Sequence, residues 1–246
     1  MWFEQPEKFR AEELAAMVTK VTGGDLHIVL APQAVWLPSV AKKQVGKAVD
    51  ELLMRYPTDP DERDEPDFKA ICELLSRPPE ARYGWISDTV NGTKLSVLVA
   101  GTSWFGLIAV REGDDVWVRT FHPERLSLIL AGVLPEAARK PSGFPISVLR
   151  SEIVEAEKSG NGSQAVRRAQ RFAELTPHVI AEFNAETRPA GGKRHRNQNP
   201  LRVYDTDEGR WTLLAHPHYG DERLDLAPAG TEEVAALLDE LRRELT

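Results

Sequence analysis

One pattern occurs twice in this chain, about 108 residues apart, and it restricts the possible folds more than any other feature. The first copy reads Trp104-Phe105-Gly106-Leu107-Ile108-Ala109, then Gly113-Asp114, then Val116-Trp117-Val118, then Pro123 and apolar residues at Leu126, Ile129, Leu130 and Val133. The second reads Trp211-Thr212-Leu213-Leu214-Ala215, then Gly220-Asp221, then Leu224-Asp225-Leu226, then Pro228 and Val234, Leu237, Leu238 and Leu241. Two apolar runs around a Gly-Asp turn describe a β-hairpin, and three-and-four spacing describes one face of a helix. Repetition of the unit predicts an α+β domain spanning 1–246, with pseudo-symmetric halves at approximately 1–134 and 146–246 around a shared core. A hairpin followed by a helix is also common without duplication; here the Trp, the turn, the strand pair and the helical stripe agree in order.

The remaining elements fit around these copies. Leu14, Met17, Val18 and Val21 form a helical stripe closed by Gly23-Gly24. Leu26 to Ala31 reads as a short strand, followed by a Pro32 to Pro38 connection. A second stripe runs through Val45, Val49, Leu52, Leu53 and Tyr56. Pro57 to Glu65 reads as a solvated acidic loop. Pro66 opens a helix carrying Phe68, Ile71, Cys72 and Leu75. Strands are then expected at Tyr83–Asp88, Lys94–Ala100, Trp104–Val110 and Asp115–Thr120, with Asn91-Gly92 as a further hairpin turn. A helix over about Glu124 to Leu134 ends the first half. After a Pro- and Gly-rich loop and a linking strand at Ile146–Leu149, Ser163 caps a helix running to Leu175. Thr176-Pro177 starts another helix with Val179, Ile180 and Phe183 apolar. A flexible basic loop from Arg188 to Pro200 precedes the second copy, and Thr231 caps the last helix.

Composition removes several classes of function. No apolar run approaches the length needed to span a bilayer, and the start of the chain lacks the basic and apolar regions of a signal peptide, so a cytoplasmic protein is expected. One cysteine, Cys72, allows no internal disulfide, and its place on an apolar stripe marks it as a buried small hydrophobe. A net charge of −7 argues against general nucleic-acid binding.

Catalytic patterns are equally scarce. His216-Pro217-His218, with Asp205, Asp207 or His195 nearby, has metal-ligand chemistry but reads as a turn between strands. Asp205 and Asp207 sit in a segment with the composition of a hairpin turn, in which carboxylates bond local amides and Gly209 takes a positive φ. There is no nucleophile elbow and no phosphate loop. The run Lys193-Arg194-His195-Arg196 reads as a mobile surface loop. Neither a catalytic site, a metal site nor a cofactor is expected; the chain reads as a binding protein, and of its six tryptophans most are expected in the core, with some aromatic edges on a sheet closed by helices on one face left to meet a partner.

Several segments resemble the EspG proteins of actinobacterial type VII (ESX) secretion. They are Leu74-Leu75-Ser76-Arg77-Pro78-Pro79, Gly101 to Val110 with Gly113-Asp114, Val203-Tyr204-Asp205-Thr206-Asp207-Glu208-Gly209-Arg210-Trp211, and Leu224-Asp225-Leu226-Ala227-Pro228-Ala229-Gly230-Thr231. The likeness spans roughly residues 65 to 246; the first 60 match only in being helical and carrying Leu37-Pro38. It implies a quasi-twofold α+β fold with a central antiparallel β-sheet and N- and C-terminal helical bundles. It also implies a cytosolic chaperone that binds a secreted PE–PPE-like helical protein, or a related WXG-type hairpin, and keeps it soluble; a homodimer is compatible with it. The contact residues expected are Trp104, Trp117, Arg210 and Trp211, with the C-terminal half doing more of the recognition. An immunity or antitoxin-like protein using its acidic surface is the competing reading.

Overall fold

The computed structural model describes residues 3–32, 39–56, 66–122, 124–136, 141–189 and 192–245, with side chains described from residue 45 onward in the second segment. The Pro32 to Pro38 connection in its larger part, Leu37-Pro38, the acidic loop at 57–65, Pro123 and residues 190–191 of the basic loop lie outside the described residues.

The chain opens with a strand that sequence reasoning missed, β1 (Glu7–Arg10), followed by α1 (Ala11–Thr22), α2 (Ser39–Leu53) and α3 (Phe68–Ser76). Gly23 ends α1 in the left-handed conformation, φ 70°, with its N–H on the Thr19 carbonyl. Asp67 caps α3 by accepting from the Ala70 N–H at 2.6 Å. The segment at residues 26–31 is no strand: the His27 carbonyl accepts the amides of Leu30 and Ala31, which curls it into a turn with Leu26, Val29 and Leu30 buried.

A meander follows: β2 (Glu80–Asp88), β3 (Thr93–Gly101), β4 (Gly106–Glu112) and β5 (Asp115–Phe121), then the short α4 (Leu126–Ala131). Next come β6 (Ile146–Leu149), α5 (Arg150–Ser159) and α6 (Gln164–Ala173), with the Ser163 hydroxyl accepting from the Val166 N–H. The expected helix after Pro177 is instead β7 (Val179–Thr187). Val179, Ala181, Phe183 and Ala185 are buried while Ile180, Glu182 and Asn184 are half-buried, a period of two that the triplet Val179, Ile180 and Phe183 conceals. After β7 come β8 (His195–Arg196), β9 (Leu201–Thr206), β10 (Gly209–His218), β11 (Asp221–Pro228) and α7 (Thr231–Arg243). Gly230, not Thr231, occupies the cap position of α7, and Glu233 reaches back to accept its N–H at 2.9 Å.

All eleven strands among the described residues join one antiparallel sheet, ordered β1-β5-β4-β3-β2-β7-β9-β10-β11-β6, with β8 paired to the far end of β7. β2 and β7 form the middle pair, and Gly84 faces Phe183 at its centre. A Cβ on Gly84 would lie 2.0 Å from the Glu182 carbonyl oxygen, so only glycine fits there.

Helices cover both faces, not one. On one face α1 and α3 pack over Tyr83, Leu98, Leu107, Ala109, Val116 and Val118. The cross-strand pairs Tyr83–Asn184, Ile180–Tyr204 and Tyr204–Trp211 carry that same face to the other end of the sheet, where α5 and α6 cover Trp211 and Leu226. The opposite face is covered by α4 and α7 over Val97, Val99, Phe183, Val203 and Leu214. Between its two helical groups the first face is open.

Candidate functional site

The open part of that face becomes a groove beside α6. Val166 and Ala169 on this helix are buried against the sheet, while Arg167, Arg168 and Arg171 lie on its other side. The helix has only ten residues, so it covers part of the β9-β10-β11 surface and stops. What remains is an apolar depression of about 340 Å³, walled by Ile153 of α5, Phe172 and Leu175, with Tyr204, Leu213 and Leu224 as its floor. Phe172 is fixed between two aromatic neighbours, its ring centroid 5.7 Å from Tyr204 and 5.5 Å from Trp211. A second hollow of about 240 Å³ adjoins Phe172 and Trp211 and carries Arg168, Arg171 and Glu208.

The groove continues onto the bare centre of the sheet. Tyr204 lies beside Ile180, and Ile180 beside Ser87. Two residues along β2 from Ser87, Trp85 on this face is 43% exposed. The β2–β3 loop leans on the same end of β7 through the Thr89 N–H, which donates to the His178 carbonyl at 2.8 Å, and it presents Val90, 72% exposed. Pro177, next in the chain to His178, lines the groove. The result is an apolar groove with a basic flank on α6, extended by Ile180 and Trp85 on a sheet face that also carries Ser87 and the Glu182–Arg202 ion pair, a surface suited to holding a polypeptide with an apolar centre.

The four residues singled out from the sequence are not brought together. Trp104 lies in the loop before β4, whose strand starts at Gly106, and is 45% exposed at the opposite end of the sheet from α6. Trp117 on β5 is half-buried beneath the Lys8 ammonium, 5.3 Å from its ring centre. Arg210 is inside the protein, with its Nε and Nη2 donating to the two Asp205 oxygens at 2.7 and 2.8 Å and Nη2 also to the Pro135 carbonyl at 2.7 Å. Trp211 is buried, and its indole N–H has no hydrogen-bond partner among the described residues.

Asp205 therefore bonds a guanidinium across the hairpin, not local amides. The local turn is made by Thr206, whose hydroxyl donates to the Gly209 carbonyl and accepts from the Glu208 N–H, with Gly209 at φ 114°. His216-Pro217-His218 is the end of β10 and not a turn; the turn is Tyr219-Gly220, with φ of 47° and 85°. Among the described residues no group of three or more His, Cys, Asp or Glu is placed to hold a metal ion, and no helix is long and apolar enough to cross a membrane. The basic run is also tied down: His195 and Arg196 pair with β7, and Arg194 bonds Glu186.

The signal for Phe172, Tyr204 and Leu213 was present in the sequence as apolar periodicity, but it was indistinguishable from core. Burial separates the two, since Phe172, Tyr204 and Leu213 are only partly covered.

The protein has a mixed α+β fold built on one large antiparallel sheet, with a partly exposed apolar groove beside α6. The chain is a member of the EspG family, whose model matches residues 10–240. A comparison with curated proteins gives no match. Among solved structures, the chain is similar to the Mycobacterium tuberculosis type VII secretion system chaperone EspG5, determined in complex with a PE25-PPE41 dimer. The TM-score is 0.65 at 16% identity, over 98% of this chain and 97% of that one.

Proposed function

We propose that this protein is a cytosolic chaperone of type VII secretion that binds a PE–PPE-like helical client and keeps it soluble, acting as a binding protein and not an enzyme. The observation that carries the reading is the apolar groove of Phe172, Leu213 and Tyr204, with half-buried Ile180 and exposed Trp85 on the sheet face beyond it. A client's apolar helical tip laid along it would be removed from water, and the arginines of α6 would meet its polar flank. Trp211 acts from beneath, as a wall behind Phe172, and Arg210 holds the hairpin on which the groove is built. Trp104 and Trp117 stand apart from this surface and would meet a client only if it extended over the other end of the sheet.

Family membership supports two further readings. The helices α1–α3 and α5–α6 would correspond to the N- and C-terminal helical bundles. The halves at 1–134 and 146–246 would be related by a pseudo-twofold axis through the β2–β7 pair, because β3, β4, β5 and β1 outward on one side match β9, β10, β11 and β6 on the other. Counting from the two-residue turns Gly113-Asp114 and Tyr219-Gly220 then sets Phe105 against Trp211, one residue away from the Trp104 suggested by sequence alone.

Co-expression with a PE–PPE-like pair encoded beside it, followed by gel filtration, tests the function. A stable complex and raised client solubility are expected, and Ile153→Asp combined with Phe172→Ala should abolish both while circular dichroism is unchanged. If the client is equally soluble alone and no complex elutes, the reading fails.

A further inference from the structure

At the other end of β7 from Pro177 lies a pocket of opposite character. It has a volume of about 180 Å³ and is formed where the turn at residues 25–28, the end of α3 and the segment after β7 meet. Its guanidiniums are Arg77, Arg188 and Arg194; its acidic residues are Asp25 and Glu186, and His27 completes it. Three arginines against two carboxylates leave an excess of one positive charge before His27 is counted, in a protein whose net charge is −7.

The distribution of partners matters more than the total. Glu186 is paired through one oxygen: its Oε2 accepts from Arg194 Nε at 2.6 Å and lies 3.3 Å from His27 Nε2. Arg194 also donates to the Tyr83 hydroxyl at 3.1 Å and stands over the Tyr83 ring. Arg77 and Arg188 have no carboxylate partner among the described residues. Arg188 Nε is moreover buried without a hydrogen-bond partner among the described residues, a costly arrangement for a charged donor unless an acceptor enters.

Backbone hydrogen bonds fix the segments that carry these side chains. The Leu75 carbonyl accepts from the His27 N–H and the Glu73 carbonyl from the Arg77 N–H, at 2.8 and 2.7 Å. The Pro79 carbonyl accepts from the Arg188 N–H at 2.8 Å. Glu186, His27 and Tyr83 are buried behind the arginines, with the His27 and Tyr83 ring centroids 4.8 Å apart.

From this geometry we infer that the pocket is an oxyanion-binding site, in which Arg77 and Arg188 hold a carboxylate or a phosphate beside the Glu186–Arg194 ion pair. Arginine suits the task because its planar fork binds such groups through two parallel hydrogen bonds. The site is independent of the client groove.

The test is a chemical-shift titration of the ¹⁵N-labelled full chain with sodium phosphate and, separately, sodium acetate. Sodium chloride at matched pH and ionic strength is the control. A saturable shift of the Arg188 Nε–H and of the Arg77 and Arg188 amides is expected with an oxyanion and not with chloride. Response to phosphate alone identifies a phosphate site, and response to acetate alone a carboxylate site. Arg77→Ala or Arg188→Lys should weaken binding about tenfold or more. The inference is overturned if all three salts shift these signals alike without saturation, or if both variants bind as the native protein does. Should a variant fail to fold, the native titration decides the question by itself.

Discussion

Asp205→Ala isolates what the Asp-Thr-x-x-Gly-Arg turn does. The substitution leaves the Arg210 guanidinium buried, its side chain 3% exposed, with the Pro135 carbonyl as its remaining acceptor. Removing one partner of a buried ion pair costs about 3–5 kcal/mol, because the other charge stays desolvated. The Pro135 bond survives and places the expected loss near the lower value, about 3 kcal/mol. That is a large part of the roughly 5–15 kcal/mol that holds a domain folded. For a chain of this length it lowers the melting temperature by about 6–12 °C, at roughly 2–4 °C per kcal/mol. Urea unfolding followed by tryptophan fluorescence measures it, with an unchanged m-value showing that the midpoint reports stability alone. The double variant Asp205→Leu with Arg210→Met removes both charges and should be clearly more stable than Asp205→Ala. A single-variant loss under about 1 kcal/mol, the range of a surface pair, or a double variant less stable than the single, would refute the assignment of this motif as an internal clamp.

Three further outcomes follow from the packing. Gly84→Ala should cost about 3 kcal/mol or more, since the new methyl meets a backbone oxygen that cannot move without parting β2 from β7; thermal unfolding checks it. Burial pushes the Glu186 and Asp239 carboxyls up, but His27 and Arg194 at the first, and Ser127 and Arg125 at the second, outweigh it and hold both below the ordinary carboxylate range. Groups depressed in the folded state stabilise it above their unfolded pKa, so stability should be level near neutrality and fall as pH drops below about 4.5, with a shallower fall in Glu186→Gln. The Cys72 thiol, pushed up to about 12 chiefly by burial, should resist alkylation at pH 8 in the native protein and react once urea exposes it.

The parts of the fold readable in advance were those whose signal is local. The stripe Leu14, Met17 and Val18 and the Gly23 stop specify α1, and the paired apolar runs specify β2 to β5 nearly to their ends. β1 was missed because only Phe9 in Glu7–Arg10 is buried, and its pairing with β5 crosses more than a hundred residues. α5 was missed because Ala156 is its only buried residue. β7 was misread because it is covered differently on its two faces, so half-buried Ile180 joined the apolar pattern of its buried neighbours. Arg210 was taken for a surface contact because a charged side chain in a hairpin is exposed unless a carboxylate five residues earlier reaches it.

Taken alone, the residues decided the class of fold and the doubled hairpin-and-helix, because periodicity and turn chemistry act over a few residues at a time. The three-dimensional structure decided which apolar residues are core and which are surface. Phe172 and Leu213 have the same chemistry as Phe183 and Leu214, yet two short helices leave the first pair half-covered while α4 and α7 bury the second or nearly so. It also decided where charge is concentrated, bringing Arg77, Arg188 and Arg194 around one cavity from segments that nothing in their spacing connects. Burial and electrostatic neighbourhood are properties of the packed chain, and only packing can distribute them.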